Sequence, residues 1–164
     1  MKTLSELTTT FASAATVRWL GVRPERRAPV QTLESVEITG SGLAGDRYAS
    51  GGKRAVTLIQ HEHLAVIAAL AGSDAVDPAL LRRNIVVGGI NLLGLRKHCF
   101  RIGTAILEGT GICAPCSYME ETLGPGGYSA VRGHGGITAR VVKPGNASVG
   151  NAVSCLPQGA LVID

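Results

Sequence analysis

Short apolar runs separated by glycines and polar residues recur along the whole chain. In LESVEIT (33–39), Val36 and Ile38 alternate with polar neighbours, which is the spacing of a half-buried β-strand. TVRWLGVRP (16–24) predicts an earlier strand that ends at Pro24. Further predicted strands are AVTLI (55–59), IVVGGIN (85–91), HCFRIGTAILEGTG (98–111), GITARVV (136–142) and ALVID (160–164). The pattern therefore indicates many short strands joined by tight turns.

Helical spacing is confined to a few short segments. QHEHLAVIAALAG (60–72) follows a predicted strand and places apolar residues at helical spacing before a terminal glycine. Asp77 and Pro78 have the residue types preferred at the N-cap and first helical position, so another helix is predicted to begin there. GSGLAGDRYASGGKR (40–54) is too rich in glycine for regular structure and predicts a long loop. We therefore predict a mainly β fold with a few short helices (α+β), forming a closed or partly closed barrel.

Composition narrows the class of protein. A length of 164 residues fits one domain, which we assign to residues 1–164. Twelve of the sixteen Lys and Arg residues are Arg, against twelve acidic residues, and this favours a small phosphate-bearing partner. The aromatic content of 4% is low for a base-stacking surface, so no nucleic acid partner is expected.

The cysteine content and the N-terminal segment indicate the compartment of the protein. Four cysteines are too few for a disulfide scaffold of this size, which indicates a reducing compartment. Glu6 and several Ser and Thr residues interrupt the N-terminal apolar pattern, so no signal peptide is expected. No apolar run approaches the ~20 residues of a membrane helix. We expect a cytoplasmic protein with no membrane partner.

GICAPCSYMEE (111–121) contains the most specific chemistry in the chain. Cys113 and Cys116 could contribute to a zinc site, form a redox pair, or be small core residues around one reactive sulfur. Zinc would need a second pair of ligands, and the sequence offers only scattered His and Cys. A thioredoxin-type pair would need a βαβ context, which the β-rich pattern does not supply.

The residues around Cys116 favour a reactive thiol. Pro115 fixes the preceding backbone, and Ser117 with Glu120 predicts a capping box that begins a helix directly after the cysteine. The partial positive charge of a helix N-terminus favours thiolate, so Cys116 could be a nucleophile, a persulfide carrier or a soft-metal ligand. Cys113 could resolve an oxidised Cys116.

Basic residues beside the glycine-rich segments predict an anion site. Arginine forks and backbone N–H groups together suit a phosphate or a similar anion. The residues concerned are Arg47, Lys53 and Arg54 around the first loop, Arg82 and Arg83 at the end of a predicted helix, and Arg132 with His134 in AVRGHGG (130–136).

Several motifs, in this order and spacing, resemble the MOSC domain, the module named for the C-terminal part of molybdenum-cofactor sulfurase. They are GLAGDRY (42–48), RAVTLI (54–59), LLRRNIVVGGINLLGL (80–95), RIGTAILEGTGICAPC (101–116) and RGHGGITARVV (132–142). The resemblance covers about residues 16–153.

The resemblance implies a strongly bent β-barrel and a role for one cysteine. In the family, the characteristic cysteine carries sulfur as a persulfide received from a pyridoxal-phosphate-dependent cysteine desulfurase, or binds molybdenum. Cys116 matches the position of this cysteine. The family's Arg-x-Asn element, which contacts the pterin phosphate of the molybdenum cofactor, is matched by Arg82 and Asn84. The implied partners are the desulfurase and a metal-cofactor acceptor. With the nearby cations, the predicted cofactor-binding residues are Arg82, Asn84, Arg132, Lys53, Arg54 and Arg47.

The chain departs from the family pattern in places. Family members often have a basic residue where this chain has Cys113, and Gly-Asp where it has Gly150-Asn151. The extra N-terminal barrel of the cofactor-binding enzymes is also not part of this sequence. Two alternatives to a sulfur carrier stay open: a molybdenum-dependent reductase of N-hydroxylated compounds, and a non-catalytic binding module with structural cysteines.

Overall fold

The computed structural model describes residues 1–159, in which short strands outnumber helices. The strands are β1 Ala15–Val22, β2 Gln31–Leu33, β3 Ser35–Thr39, β4 Gly42–Leu43, β5 Val56–Gln60, β6 Ile85–Gly88, β7 Cys99–Ile102, β8 Ala105–Ile112, β9 Ile137–Lys143, β10 Gly145–Ser148 and β11 Ala152–Cys155. The α-helices are α1 Leu4–Thr8, α2 His61–Leu70, α3 Ser117–Leu123 and α4 Gly127–Val131, and the 3₁₀-helices are η1 Pro78–Leu81 and η2 Leu92–Leu95. The strand predicted at 160–164 lies outside the described residues.

Seven strands close into a barrel in the order β11-β7-β8-β9-β5-β6-β1, and β1 pairs with β11 to complete it. β2 adds to β1 as an extra strand, while β10, β3 and β4 form a separate small sheet. Barrel neighbours are antiparallel except β5 and β6, which run parallel. A parallel pair needs a crossover, which α2 and η1 supply. The predicted mainly β, closed-barrel fold is therefore confirmed.

Apolar side chains fill the barrel and also pack between its wall and the helices. Leu58 and Ile85 belong to the cluster inside the barrel, whereas their neighbours Ile59 and Val86 belong to a second cluster. β5 and β6 are thus buried on both faces, which explains their nearly continuous apolar sequences. The second cluster also includes Ile67 of α2, Leu81 of η1, Met119 of α3 and Val131 of α4. These contacts hold the short helices against one side of the barrel.

Most of the predicted elements are present. The strands predicted from 16–24 and 33–39 correspond to β1 and β3, and the helix predicted from 60–72 is α2. The Asp77 side chain accepts a hydrogen bond from the Ala79 amide at 2.9 Å, as an N-cap should, although the helix it begins is 3₁₀. The glycine-rich loop at 40–54 contains the two-residue strand β4. Within residues 1–159, no helix is both long and apolar enough to cross a membrane.

Candidate functional site

Cys113 and Cys116 lie where the chain leaves the barrel after β8 and enters α3. The Cys113 amide donates to the Gly136 carbonyl at 2.9 Å, which continues the antiparallel pairing of β8 with β9. Cys116 has extended backbone angles and is the N-cap of α3, and its carbonyl accepts from the Met119 amide. The side chain of Cys113 is 2% exposed, whereas Cys116 is exposed. Only the second thiol of the pair is freely accessible to a large partner.

The predicted helix after Cys116 is present, but the predicted capping box is wrong. Ser117 is the first helical residue, and Cys116 is the N-cap without a side-chain cap bond. Glu120 instead accepts from the backbone amides of Gly126 and Tyr128, at 2.7 and 2.9 Å. These amides hold the pKa of Glu120 below its ordinary value, with Tyr128 contributing most. The carboxylate therefore joins α3 to α4 rather than closing the first turn of α3.

The buried side chain of Arg83 holds the segment that contains Cys113 and Cys116, residues 113–116, which we call the cysteine loop. Arg83 is 6% exposed, and its Nε donates to the carbonyl oxygen of Gly135 at 2.9 Å. Its Nη2 donates to the carbonyl oxygens of Cys113 and Ala114 at 3.4 and 3.3 Å, and its Nη1 donates to Leu81. The guanidinium thus joins three chain segments by charge-assisted hydrogen bonds. The sequence placed Arg83 among the anion-site candidates and gave no sign of this structural role.

A cavity of about 460 Å³ opens beside the two cysteines. Its volume lies within the range of small-molecule sites. Its lining comprises Gly21, Val22, Arg23, Val30, Asp46, Tyr48, Ser50, Gly51, Arg54, Thr57, Arg82, Arg83, Asn84, Cys113, Ala114 and Cys116. Four of these residues are arginines, and Asp46 is the one acidic residue among them. The cavity is therefore strongly cationic, which favours an anionic ligand.

Arg23, at the end of β1, is the least expected member of this lining. It is 6% exposed, and its Nε has no hydrogen-bond partner within residues 1–159. The guanidinium lies 5.4 Å from the centre of the Tyr48 ring, and the Asp46 carboxylate accepts from the Arg23 backbone amide at 2.9 Å. Buried polar groups are normally hydrogen-bonded, so an unpartnered guanidinium nitrogen at a cavity wall favours a bound anion. Arg23 directly follows Gly21 and Val22 at the end of an apolar strand, and this position was not considered in the sequence-based prediction of the site.

Three of the predicted cofactor-binding residues, Arg82, Asn84 and Arg54, line this cavity. Arg82 has a left-handed backbone (φ 58°), and its guanidinium lies 4.2 Å from the centre of the Tyr118 ring. The Asn84 oxygen accepts from the amide and hydroxyl of Thr57, and its nitrogen donates to Gly21. One N–H of the Asn84 amide is left for a ligand. Asn84 therefore joins β1 to β5 and also faces the cavity.

The other three predicted cofactor-binding residues lie elsewhere on the surface of residues 1–159. Arg47 stacks on Tyr48, with its guanidinium 4.7 Å from the ring centre. Lys53 is exposed, and its carbonyl accepts from the Thr110 hydroxyl. Arg132 is exposed at the end of α4. A role for these three residues stays a prediction.

The remaining cysteines lie apart from this site. Burial raises the pKa of the Cys99 thiol, with a further contribution from Glu108, and burial raises that of Cys155. Both are therefore held as thiols. Among residues 1–159, no three His, Cys, Asp or Glu side chains cluster in a way that could hold a metal ion.

A family model for the MOSC domain matches residues 45–154. The chain belongs to the MOSC domain family. The matched range includes Cys116, Arg82 and Asn84, whereas Arg23 lies before it. No curated protein sequence matches the chain.

Solved MOSC-like structures show the same fold. The YuaD protein from Bacillus subtilis is 19% identical, with a TM-score of 0.75, and the match covers 88% of this chain and 97% of YuaD. YiiM from Geobacillus stearothermophilus is 16% identical, with a TM-score of 0.73 over 92% of this chain and 79% of that one. YiiM from Escherichia coli is 19% identical, with a TM-score of 0.68 over 87% and 70%. At these identities the likeness concerns the MOSC fold alone.

Proposed function

We propose that this MOSC protein carries sulfur as a persulfide on Cys116, beside a cavity that binds the molybdenum cofactor or a related phosphorylated pterin. One observation carries the proposal: the exposed Cys116 lines the same cavity as the buried Arg23, whose Nε has no hydrogen-bond partner within residues 1–159. The first supplies a nucleophilic sulfur to a protein partner. The second attracts the anionic group of a small ligand to the same place.

The exposure of Cys116 suits exchange with another protein. A cysteine desulfurase presents its persulfide on a protein thiol, so the receiving sulfur has to be reachable from outside. The Cys116 thiolate attacks the outer sulfur of that persulfide, the sulfur–sulfur bond of the donor breaks, and the donor cysteine leaves as a thiolate. The N-cap position keeps the Cys116 side chain at the start of α3 and at the edge of the cavity. An acceptor in the cavity then lies next to the sulfur.

The cavity residues fit a phosphorylated pterin. Arg23 and Arg82 offer planar guanidinium groups for a phosphate, and Asn84 retains one free N–H. Within residues 1–159 the single ion pair is Glu108 with Arg140, outside the cavity, so the cavity arginines keep their charge available. The molybdenum cofactor, when bound, supplies a metal centre that accepts a soft sulfur ligand. In the cofactor-bound form, Cys116 is the residue that would provide that thiolate.

The test is sulfur loading followed by intact-protein mass spectrometry. The Cys113→Ser variant, in which Cys116 is the cavity's single thiol, is incubated with a cysteine desulfurase and cysteine. We expect a gain of one sulfur (~32 Da) that is absent when Cys116→Ser is added to the same chain. Adding Cys99→Ser to the Cys113→Ser chain instead provides the matched control, which should load normally. Equal loading of the chain lacking Cys116 would contradict the proposal.

A molybdenum-dependent reductase of N-hydroxylated compounds is the second candidate, since the cationic cavity would serve a resident cofactor equally well. This function requires stoichiometric molybdenum in the purified protein and an electron donor. Metal analysis of wild type and of Arg23→Met separates the two candidates. The reductase predicts molybdenum in the wild type and a loss of it in Arg23→Met, whereas a carrier that meets its acceptor transiently predicts little molybdenum in either.

A further inference from the structure

The two cavity cysteines differ in exposure but share one cavity and one short loop. Cys116 is exposed, Cys113 is 2% exposed, and both are free thiols that line the cavity. Two residues separate them along the chain, and both border the same cavity. A large partner therefore reaches the sulfur of Cys116 but not the buried sulfur of Cys113.

The loop is fixed at one end and joined to a short helix at the other. Arg83 holds the carbonyl oxygens of Cys113 and Ala114, and the Cys113 amide is bonded to Gly136. Cys116 begins α3 without a side-chain cap bond, and the side chain of Ala114 is exposed. A disulfide needs Cα atoms about 4.4–6.8 Å apart. Residues 113–116 form no turn or bend and Cys116 is extended, so the segment after Cys113 has to fold back before the two sulfurs can meet. Cys113 is therefore the stationary partner, and Cys116 is the side chain able to approach it.

We propose that Cys113 resolves the Cys116 persulfide and releases its outer sulfur as hydrosulfide. This inference rests on the proposed carrier function. The Cys113 thiol loses its proton to solvent and attacks the inner sulfur of the Cys116 persulfide. The bond between the inner and outer sulfurs breaks, and the outer sulfur departs with the electron pair as HS⁻. The two cysteines are left as a disulfide.

The electron balance of this step needs no external oxidant. The outer, sulfane sulfur is reduced to the sulfide level, and the two cysteine sulfurs are oxidised to the disulfide. A dithiol reductant then returns the pair to the free thiols and completes the cycle. The hydrosulfide is formed in the cationic cavity that Arg23 and Arg82 line, where an anion is favoured. Sulfur thus reaches a bound acceptor as sulfide, released within the cavity.

The experiment uses inorganic polysulfide as the sulfur donor, so that it does not depend on a protein partner. Reduced wild type and Cys113→Ser are treated, desalted without reductant and weighed intact. We expect wild type to reach a mass ~2 Da below that of the reduced chain, and Cys113→Ser to retain a stable gain of ~32 Da. Samples without donor exclude oxidation by air. Cys113→Ala provides a second variant in case the buried serine disturbs the fold, and Cys99→Ser should behave as wild type.

The outcomes separate this inference from the proposed function. A stable gain of ~32 Da on wild type, equal to that on Cys113→Ser, would overturn the resolving role and leave the carrier intact. Failure of polysulfide to load Cys116 in any variant would overturn both. Loading by polysulfide but never by a desulfurase would contradict the proposed donor while the resolving chemistry stands.

Discussion

Arg83 Nη2 lies 3.4 Å from the carbonyl oxygen of Cys113 and donates a hydrogen bond to it. The same guanidinium bonds to Leu81, Ala114 and Gly135, and it is 6% exposed. A buried charge of this kind is tolerated because every side of it meets a carbonyl oxygen. The position of residues 113–116 therefore depends on a residue whose hydrogen bonds within residues 1–159 go to backbone carbonyls and to neither thiol.

Replacing Arg83 with Met should destabilise the protein. The substitution leaves four carbonyl acceptors without their donor, and we expect the free energy of unfolding to fall by roughly 2–4 kcal/mol in urea denaturation. Arg82→Met is the matched control at the neighbouring position. That variant loses a contact with Tyr118 and should cost no more than about 1 kcal/mol. Equal losses in the two variants would show that Arg83 does not fasten the loop.

Gly135 lies in the segment before β9 and allows this segment to pack closely against Cys113, which follows β8. A Cβ atom at this position would lie 2.4 Å from the Cys113 carbonyl oxygen and 2.9 Å from Arg83 Nη2. Gly135→Ala should therefore lower the unfolding free energy by about 1–3 kcal/mol. Gly111→Ala is the control, since its Cβ would meet only the Thr138 hydroxyl at 3.7 Å. A thermal melt in which both variants match wild type would contradict the packing described here.

Arg23 should matter for anion binding more than for folding. Phosphate should raise the melting temperature of the wild type, because a ligand that binds the native state stabilises it. In Arg23→Met we expect the phosphate affinity to fall at least about tenfold. Without anion the stability should stay unchanged or rise by up to about 1 kcal/mol, because the buried Arg23 Nε has no hydrogen-bond partner within residues 1–159. Arg26→Met, an exposed position in the following loop, is the control. Unchanged phosphate stabilisation in Arg23→Met would sink this assignment.

His63 should make stability depend on pH. Burial, and next the neighbouring His134 at a ring separation of 5.2 Å, hold the pKa of His63 below its ordinary 6.5, although Glu62 opposes this shift. The unfolded chain then binds the proton more readily, so stability falls as the pH drops through about 6.5. His63→Gln should lose less stability between pH 7.5 and pH 5.5 than wild type. His61→Gln, exposed on the same helix, should behave as wild type.

The sequence predicted local elements well because their signals are local. Val36 and Ile38 alternate with polar residues and form β3, and Asp77 with Pro78 starts η1. The helix that begins directly after Cys116 was also predicted. The predicted capping box is absent because the Glu120 carboxylate accepts hydrogen bonds from two backbone amides at the start of α4, six and eight residues further on. The residues within one helical turn of Glu120 contain no pattern that predicts this contact.

The cavity could be predicted only in part, since it is assembled from distant segments. Arg82 and Asn84 belong to a recognisable element, whereas Arg23 reaches the cavity because β1 pairs with β6 within the barrel. Arg83 was grouped with the predicted anion site, and its hydrogen bonds to the Gly135 and Cys113 carbonyl oxygens depend on how β8 and the segment before β9 close over it. Such roles follow from strand order, which single-residue patterns do not encode.

We expect Cys116 to react at the edge of a cavity to whose positive charge Arg23 contributes. The most direct measurement compares the alkylation rate of Cys116 by anionic iodoacetate with that by neutral iodoacetamide, followed by mass spectrometry. We predict that the ratio of the two rates falls at least about threefold in Arg23→Met, is unchanged in Arg26→Met, and falls when phosphate is added to wild type. An equal ratio in wild type and Arg23→Met, with no effect of phosphate, would contradict the account.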